Sequence, residues 1–260
     1  MIDLVFFLFG SSIGSFLNVL IDRPSKGEGI GGRSHCDYCQ EKIIWYDLVP
    51  ILSFLFLKGK SRCCHKRLSL QYPLVEIITG LVFVFILKNA IFGQGVMERI
   101  ILLGMVSTLI VVFFSDFKYQ LISDWTLLSF FVFSALFHMQ GLYGSSLAFL
   151  SNRLTYYFVS GLVIGLPIFL IYFFSKEKAM GLGDVYLSVV TGFLLGASKG
   201  FIALYIAFVC GAIYGLILIV ARRKKMKSRV AFGPFIVLGC LTLLFYGNSI
   251  IDAINKIYGL

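Results

Sequence analysis

Long apolar runs broken by short polar connections repeat along the whole chain, and most of the runs are long enough to cross a membrane. A helix needs about 20 mostly apolar residues to span a bilayer. Eight segments meet that need, roughly 3–21, 74–93, 100–117, 125–142, 154–175, 183–198, 201–221 and 232–248. The sixth is short and only Ser198-Lys199-Gly200 separates it from the seventh, so seven spans is the competing count. The pattern predicts an all-α polytopic membrane protein of about eight transmembrane helices. A first helix over 1–21, a loop domain over 22–73 and a transmembrane region over 74–260 are its expected divisions.

Composition agrees. Of 260 residues 58% are hydrophobic and 14% charged, with a mean hydropathy of +0.91. A soluble domain would have about 45–50% apolar and 25% charged residues. A water-soluble enzyme and a disordered chain are both excluded on that ground.

The net charge of +10 changes meaning once its distribution is read. Nine basic residues lie in 22–73, six in 222–229, and Lys118, Lys176 and Lys178 fall in connections on the same side. Eighteen of the 23 Lys and Arg residues thus share one face. That asymmetry is the positive-inside signal. It puts 22–73 in the cytoplasm and both termini outside, in the plasma (inner) membrane. Membrane lipid is the expected partner of this charge, and no nucleic acid is expected. The N-terminal run lacks the basic region of a secretory signal and reads as a retained helix. Glycines four apart (Gly10/Gly14, Gly161/Gly165, Gly192/Gly196, Gly211/Gly215) mark close helix packing in lipid.

Acidic residues are few, and two are informative. Asp116 ends the third span and Asp184 opens the sixth. With the third helix running inward and the sixth outward, both fall at the cytoplasmic boundary, where an ionisable group is a functional candidate. Two neighbouring aspartates cannot both ionise cheaply, so one keeps its proton. One carboxylate can then take a proton from water while the other protonates a scissile carbonyl oxygen. That is aspartyl peptidase chemistry, and it needs no cofactor. Gly181 and Gly183 before Asp184 give a backbone that a peptide can approach closely. The competing reading has Asp116 and Asp184 as interfacial helix-end acids. Asp124 is expected to cap the fourth helix, with a substrate contact as its alternative. Glu76 is either a first-turn acid that snorkels or a contact for a polar substrate group.

The loop holds Cys36-Asp37-Tyr38-Cys39 and Cys63-Cys64-His65. In a reducing cytosol a Cys-x2-Cys pair reads as metal-binding. Zn²⁺ takes four ligands in a tetrahedron, here Cys36, Cys39 and Cys64 with Cys63 or His65 as the fourth. Ser61 stands where a second Cys-x2-Cys would begin, and reduced free thiols are the alternative.

Several stretches are similar to one family. Gly14-Ser15-Phe16-Leu17-Asn18-Val19 with Arg23-Pro24, Trp45-Tyr46-Asp47-Leu48-Val49-Pro50-Ile51-Leu52-Ser53, Gln71-Tyr72-Pro73-Leu74-Val75-Glu76, Asp116 and Gly181-Leu182-Gly183-Asp184 together resemble the bacterial type IV prepilin peptidases. The resemblance covers nearly the whole chain. It implies cleavage of the basic leader of type IV prepilins or pseudopilins after a glycine, with Asp116 and Asp184 as the catalytic pair. It also implies N-methylation of the new N-terminal residue with S-adenosylmethionine. The family pattern departs at Ser61, where a second Cys-x2-Cys is usual, and at Ile122-Ser123-Asp124, where Ile-Pro-Asp is common. A peptidase without methylation, a proton-coupled membrane transporter and a zinc or redox sensor are the alternatives. Only the peptidases would shorten a prepilin.

Overall fold

The computed structural model describes residues 1–89, 95–140, 147–221 and 230–258. The basic run 222–229 lies outside them, as do the ends of the expected spans 74–93 and 125–142. The chain divides into two compact units, Met1–Val111 and Val112–Leu260.

The first unit begins with α1 (Ile2–Ser25) and returns in α3 (Gln71–Lys88). α1 packs against α3 because small residues face each other. A Cβ on Gly10 would lie 2.9 Å from the Gly80 Cα, and one on Gly14 would lie 2.8 Å from the Glu76 Cα. Such contacts let two backbones meet where lipid offers no hydrophobic drive to association. Between the two helices run a short 3-10 turn (Trp45–Leu48) and the five-residue α2 (Leu52–Phe56). The Arg23 guanidinium gathers the loop by donating to the carbonyls of Ile30 at 2.7 Å, Gly31 at 2.8 Å and Arg33 at 3.2 Å. α4 (Val96–Tyr119) follows and runs through the division into the second unit. Leu103, Met105, Val106 and Val111, spread around α4, are all buried, as an all-round apolar helix requires.

The second unit adds α5 (Asp124–Gln140), α6 (Leu147–Ser175), α7 (Leu182–Val220) and α8 (Gly233–Tyr258). α7 is the hub, packing on α5, α6 and α8. Its contact with α6 is again close, since a Cβ on Gly192 would lie 3.0 Å from the Gly161 Cα. Ile164 and Ile168 of α6 join Val185 and Leu204 of α7 in a buried core, with Phe232 against it. Gly215 has open space around its Cα instead, so the fourth glycine pair does not mark a close approach.

α7 has 39 residues, a length of about 58 Å as a straight helix, nearly twice the hydrocarbon thickness of about 30 Å. It is not straight. Gly196 has φ 77° and ψ 173°, a conformation that glycine alone adopts readily. Residues eight apart in a continuous helix are separated by about 12 Å. A Cβ on Gly200 would nevertheless lie 3.5 Å from the Gly192 Cα. The chain therefore doubles back, and the break falls at Gly196 rather than at Ser198-Lys199-Gly200.

Among the described residues, helix occupies part or all of each of the eight expected segments. Six helices among the described residues are long and apolar enough to cross a membrane, with Leu182–Val220 counted once. Asp124–Gln140, at 17 residues, is not among the six. The protein is an all-α, multi-pass membrane protein.

Candidate active site and a second polar cavity

Asp116 sits in the last turn of α4. The helix ends there because Gln120 takes a positive φ of 53° and its N–H bonds the Asp116 carbonyl at 2.9 Å. The Ser115 hydroxyl donates to the Leu121 carbonyl at 2.8 Å and folds the following residues back. Ile122 consequently lies over two glycines. A Cβ on Gly183 would sit 3.2 Å from the Ile122 Cβ, and one on Gly233 would sit 3.2 Å from its Cδ1.

Asp184 lies in the first turn of α7. The helix opens after Gly181, which is extended at φ −90° and ψ 162°, and the Gly181 N–H donates to Asp184 Oδ2 at 3.2 Å. A carboxylate in a first turn answers the unpaired N–H groups and the positive end of the helix dipole. Apart from its chain neighbours, no heavy atom of the described residues comes closer than 4.0 Å to a Cβ placed on Gly181, so the backbone beside this carboxylate is open.

The two carboxylates meet at the start of α8. Gly233 opens α8 and its N–H, which has no partner within the helix, donates to Asp116 Oδ2 at 2.9 Å. The same N–H faces the Asp184 carboxylate. Pro234 follows at a position where a missing N–H is harmless. Asp116 and Asp184 are only 5% and 9% exposed and lie within electrostatic reach of each other. Two helix N-termini and one helix C-terminus thus enclose a buried pair of acids. Gly233 is the site residue that sequence reasoning missed. The available signal was a Gly-Pro step opening an apolar helix a few residues after a basic run.

Asp124 is exposed and is the first residue of α5 rather than its cap. The backbone carbonyl of Ser123 accepts from the Thr126 N–H at 3.0 Å, which puts Ser123 in the cap position. Glu76 belongs to the first unit. It is buried on α3, accepts from the Ile51 N–H at 2.7 Å and reaches Ser15.

The four loop cysteines come together, with their sulfur atoms all within 4.8 Å of one another. Two matching hairpins build the cluster. In one, the Cys36 N–H bonds the Glu41 carbonyl and the Gln40 N–H bonds the Cys36 carbonyl, both at 2.9 Å. In the other, the Ser61 N–H bonds the Lys66 carbonyl at 2.9 Å and the His65 N–H bonds the Ser61 carbonyl at 3.0 Å. Gln40 and His65 both take positive φ. Ser61 is therefore the structural counterpart of Cys36, and Cys64 of Cys39. The Ser61 hydroxyl lies 3.4 Å from the Cys36 sulfur, and Cys63 fills in beside it at 2.8 Å. Sulfur ligands about 2.3 Å from a tetrahedral Zn²⁺ would be about 3.8 Å apart. The Cys36–Cys64 separation is 3.7 Å and the Cys39–Cys63 separation 3.0 Å. The cluster fits the ion after slight expansion, and His65 is not among its members. Burial pushes the Cys36 thiol up, but hydrogen bonds from Ser61 and from the Cys39 and Tyr38 backbone outweigh it and hold the thiol at about 6. Cys39, hydrogen-bonded to Cys63, is pushed up to about 12.

Beside this cluster the first unit holds a cavity of about 470 Å³. Its polar wall is organised by Tyr72, whose hydroxyl lies 2.8 Å from Asp22 Oδ2 and 2.9 Å from Asp37 Oδ2. Lys26 pairs with Asp37 at 2.6 Å. Asn18 and Glu76 complete the wall from α1 and α3, and apolar side chains including Val19, Phe54 and Leu57 line the rest.

The Bacterial Peptidase A24 N-terminal domain matches residues 8–90 and the Type IV leader peptidase family matches residues 103–216, a stretch that holds Asp116 and Asp184. Relatives named prepilin leader peptidase/N-methyltransferase are similar over most of the chain. The one from Bacillus subtilis (strain 168) is 30% identical over 95% of this chain and 96% of its own. That of Klebsiella pneumoniae is 34% identical over 73% and 83%, and that of Legionella pneumophila 29% identical over 96% and 93%. No solved structure matches.

Proposed function

The chain belongs to the type IV leader peptidase family, and from that premise we propose how it cleaves and then N-methylates prepilins. The enzyme is a prepilin peptidase with methyltransferase activity. Asp116 and Asp184 carry the peptidase step, and the observation that supports this is that the two buried carboxylates lie within electrostatic reach of each other, with Asp116 held by the Gly233 N–H.

In the resting dyad one carboxyl holds a proton and the other is ionised, because two buried charges side by side are costly. The ionised carboxylate takes a proton from a water molecule as its oxygen attacks the scissile carbonyl carbon. The protonated partner gives its proton to the carbonyl oxygen. Collapse of the tetrahedral species returns a proton to the leaving amine and frees the leader. The Gly233 N–H restrains Asp116 and favours the charge the pair shares. The open backbone beside Gly181 admits an extended substrate chain. The site lies at the cytoplasmic boundary, with 22–73 in the cytoplasm and both termini outside, so a prepilin inserted by its apolar helix presents its leader junction there.

The methyl donor belongs in the cavity of the first unit. When bound, S-adenosylmethionine supplies an electrophilic methyl group on a sulfonium. A cavity of about 470 Å³ is in the usual size range for small-molecule sites. The carboxylates of Asp22, Asp37 and Glu76 suit a cationic centre and ribose hydroxyls, and Tyr72 holds two of them in register. Cys36, Cys39, Cys63 and Cys64 would hold a structural Zn²⁺ that fixes the two hairpins bordering this cavity. The pilin or pseudopilin substrate then exchanges its leader for a methyl group.

Mass spectrometry of a prepilin incubated with the protein and S-adenosylmethionine tests this reading. The product should be short by the leader and heavier by one methyl group, and Asp184→Asn should yield neither change. An intact substrate with the wild-type protein, under conditions verified with another prepilin peptidase, would overturn it.

A further inference from the structure

α2 is apolar on both of its faces. Ser53, Phe54 and Leu57 turn inward and line the cavity, with Phe54 packed over Gly59. Leu52, Leu55 and Phe56, spaced as one helical face, turn outward, and Leu55 and Phe56 are 64% and 82% exposed. Trp45, at 74% exposure, adds a large ring just upstream. A loop in water would not place its largest apolar side chains on its outer surface.

The position of α2 along the membrane-spanning helices says what covers that face. The Ile51 N–H, immediately before α2, bonds the Glu76 carboxylate at 2.7 Å. Glu76 is five residues into α3, about 7.5 Å along its axis. The start of α2 is therefore tied to the second turn of a helix long and apolar enough to cross the bilayer, at the end of that helix where interfacial helices lie. Lys58 and Lys60 follow α2 and are exposed, as expected where basic groups meet anionic headgroups. Trp45 and Tyr46 are the residue types that settle at such interfaces.

We propose that the Leu52–Leu55–Phe56 face of α2 rests in the headgroup region of the bilayer and that anionic phospholipid is its partner. The proposal depends on α1 and α3 spanning the membrane and not on the chemistry of the dyad. By lying on the lipid, α2 holds the loop against the membrane surface and presents the cavity wall of Phe54 and Leu57 at a fixed height above it.

The chain has two tryptophans, so a single reporter is simple to install. Full-length protein carrying Trp45→Phe, Trp125→Phe and Phe56→Trp is reconstituted in vesicles containing phosphatidylglycerol. The new indole should emit to the blue of a water-exposed one. Lipids brominated near the headgroup end of the acyl chain should quench most of its emission, chain-end bromines should quench less, and acrylamide should have little effect. Water-like emission quenched by acrylamide and untouched by either lipid would overturn the proposal. So would stronger quenching by chain-end bromines, which would sink the face into the bilayer interior. Water-like emission that becomes shielded only when a prepilin is added would also overturn it and assign the face to the substrate. A parallel protein retaining Trp45 alone should give the same order of quenching and guards against an effect of the Phe56 replacement. Peptidase activity is measured in the same vesicles, so loss of activity and loss of lipid contact are read separately.

Discussion

The backbone N–H of Gly233 donates to Asp116 Oδ2 at 2.9 Å, in the buried interior of the second unit. A main-chain group from one helix thereby fixes a side chain from another that lies 117 residues away. A Cβ at Gly233 would sit 2.6 Å from the same oxygen, closer than real contacts allow. Gly233→Ala should therefore displace the carboxylate while leaving α8 helical. A misplacement of about 1 Å in a catalytic group costs on the order of 10²-fold in rate, and cleavage should fall by that factor or more. Thermal unfolding in detergent should change little by comparison. Cleavage at wild-type rate would remove Gly233 from the site.

Replacing either carboxylate by its amide should separate the two activities. Asp116→Asn and Asp184→Asn lose the proton exchange of the dyad, which is worth about 10²–10⁴-fold. Neither residue lines the cavity of the first unit. Both variants should still methylate a peptide that already begins at the mature N-terminus. Mass spectrometry of intact prepilin and of that peptide reads both outcomes.

The converse separation is expected at Tyr72. Its hydroxyl bridges Asp22 and Asp37, and Tyr72→Phe leaves these two carboxylates facing each other without the bridge. Methylation should drop by tenfold or more, about 1.4 kcal/mol for loss of a hydrogen bond to a charged group. Leader cleavage should persist, leaving a shortened but unmethylated product.

Metal content tests the cysteine cluster. The purified protein should carry one zinc per chain, and Cys36→Ser should lose it. Ser61→Cys should bind the ion more tightly, because it supplies a thiolate at the place that pairs with Cys36 in the hairpin symmetry. Hydrogen exchange across 34–67 should rise when a chelator removes the ion. Full activity in protein shown to be free of zinc would end this reading.

A fifth expectation concerns the reversal in α7. Gly196→Ala would force a side chain into a backbone region that costs about 1–3 kcal/mol for a non-glycine residue. The melting temperature should fall, with no specific effect on methylation relative to cleavage.

Much of this was legible in the sequence because the bilayer enforces a simple code. Length and apolarity locate the helices, and a buried acid such as Asp116 or Asp184 stands out against its surroundings. The contacts that complete the site were not legible for a physical reason. Gly233 acts through its main chain, which leaves no trace in residue chemistry, and its partner is remote in sequence. The cavity was hidden for a different reason. Asn18 and Asp22 lie on the same α1 as many apolar residues, and their purpose emerges only when α3 brings Tyr72 against them. Ser61 was read as a gap in a metal motif, whereas the hairpin pair shows Cys63 moving into the vacancy. The turn at Gly196 was misplaced by a few residues because Lys199 marked polarity and the reversal needed only a glycine.

Because the group that holds Asp116 is supplied by the opening residue of α8, a chain still emerging from the ribosome has only part of the proposed site. Until the helix beginning at Gly233 has inserted, Asp116 lacks the donor that orients it, and the half-built protein should be unable to cut its neighbours. On the proposed mechanism, proteolytic competence should arrive as a late event of the protein's own assembly.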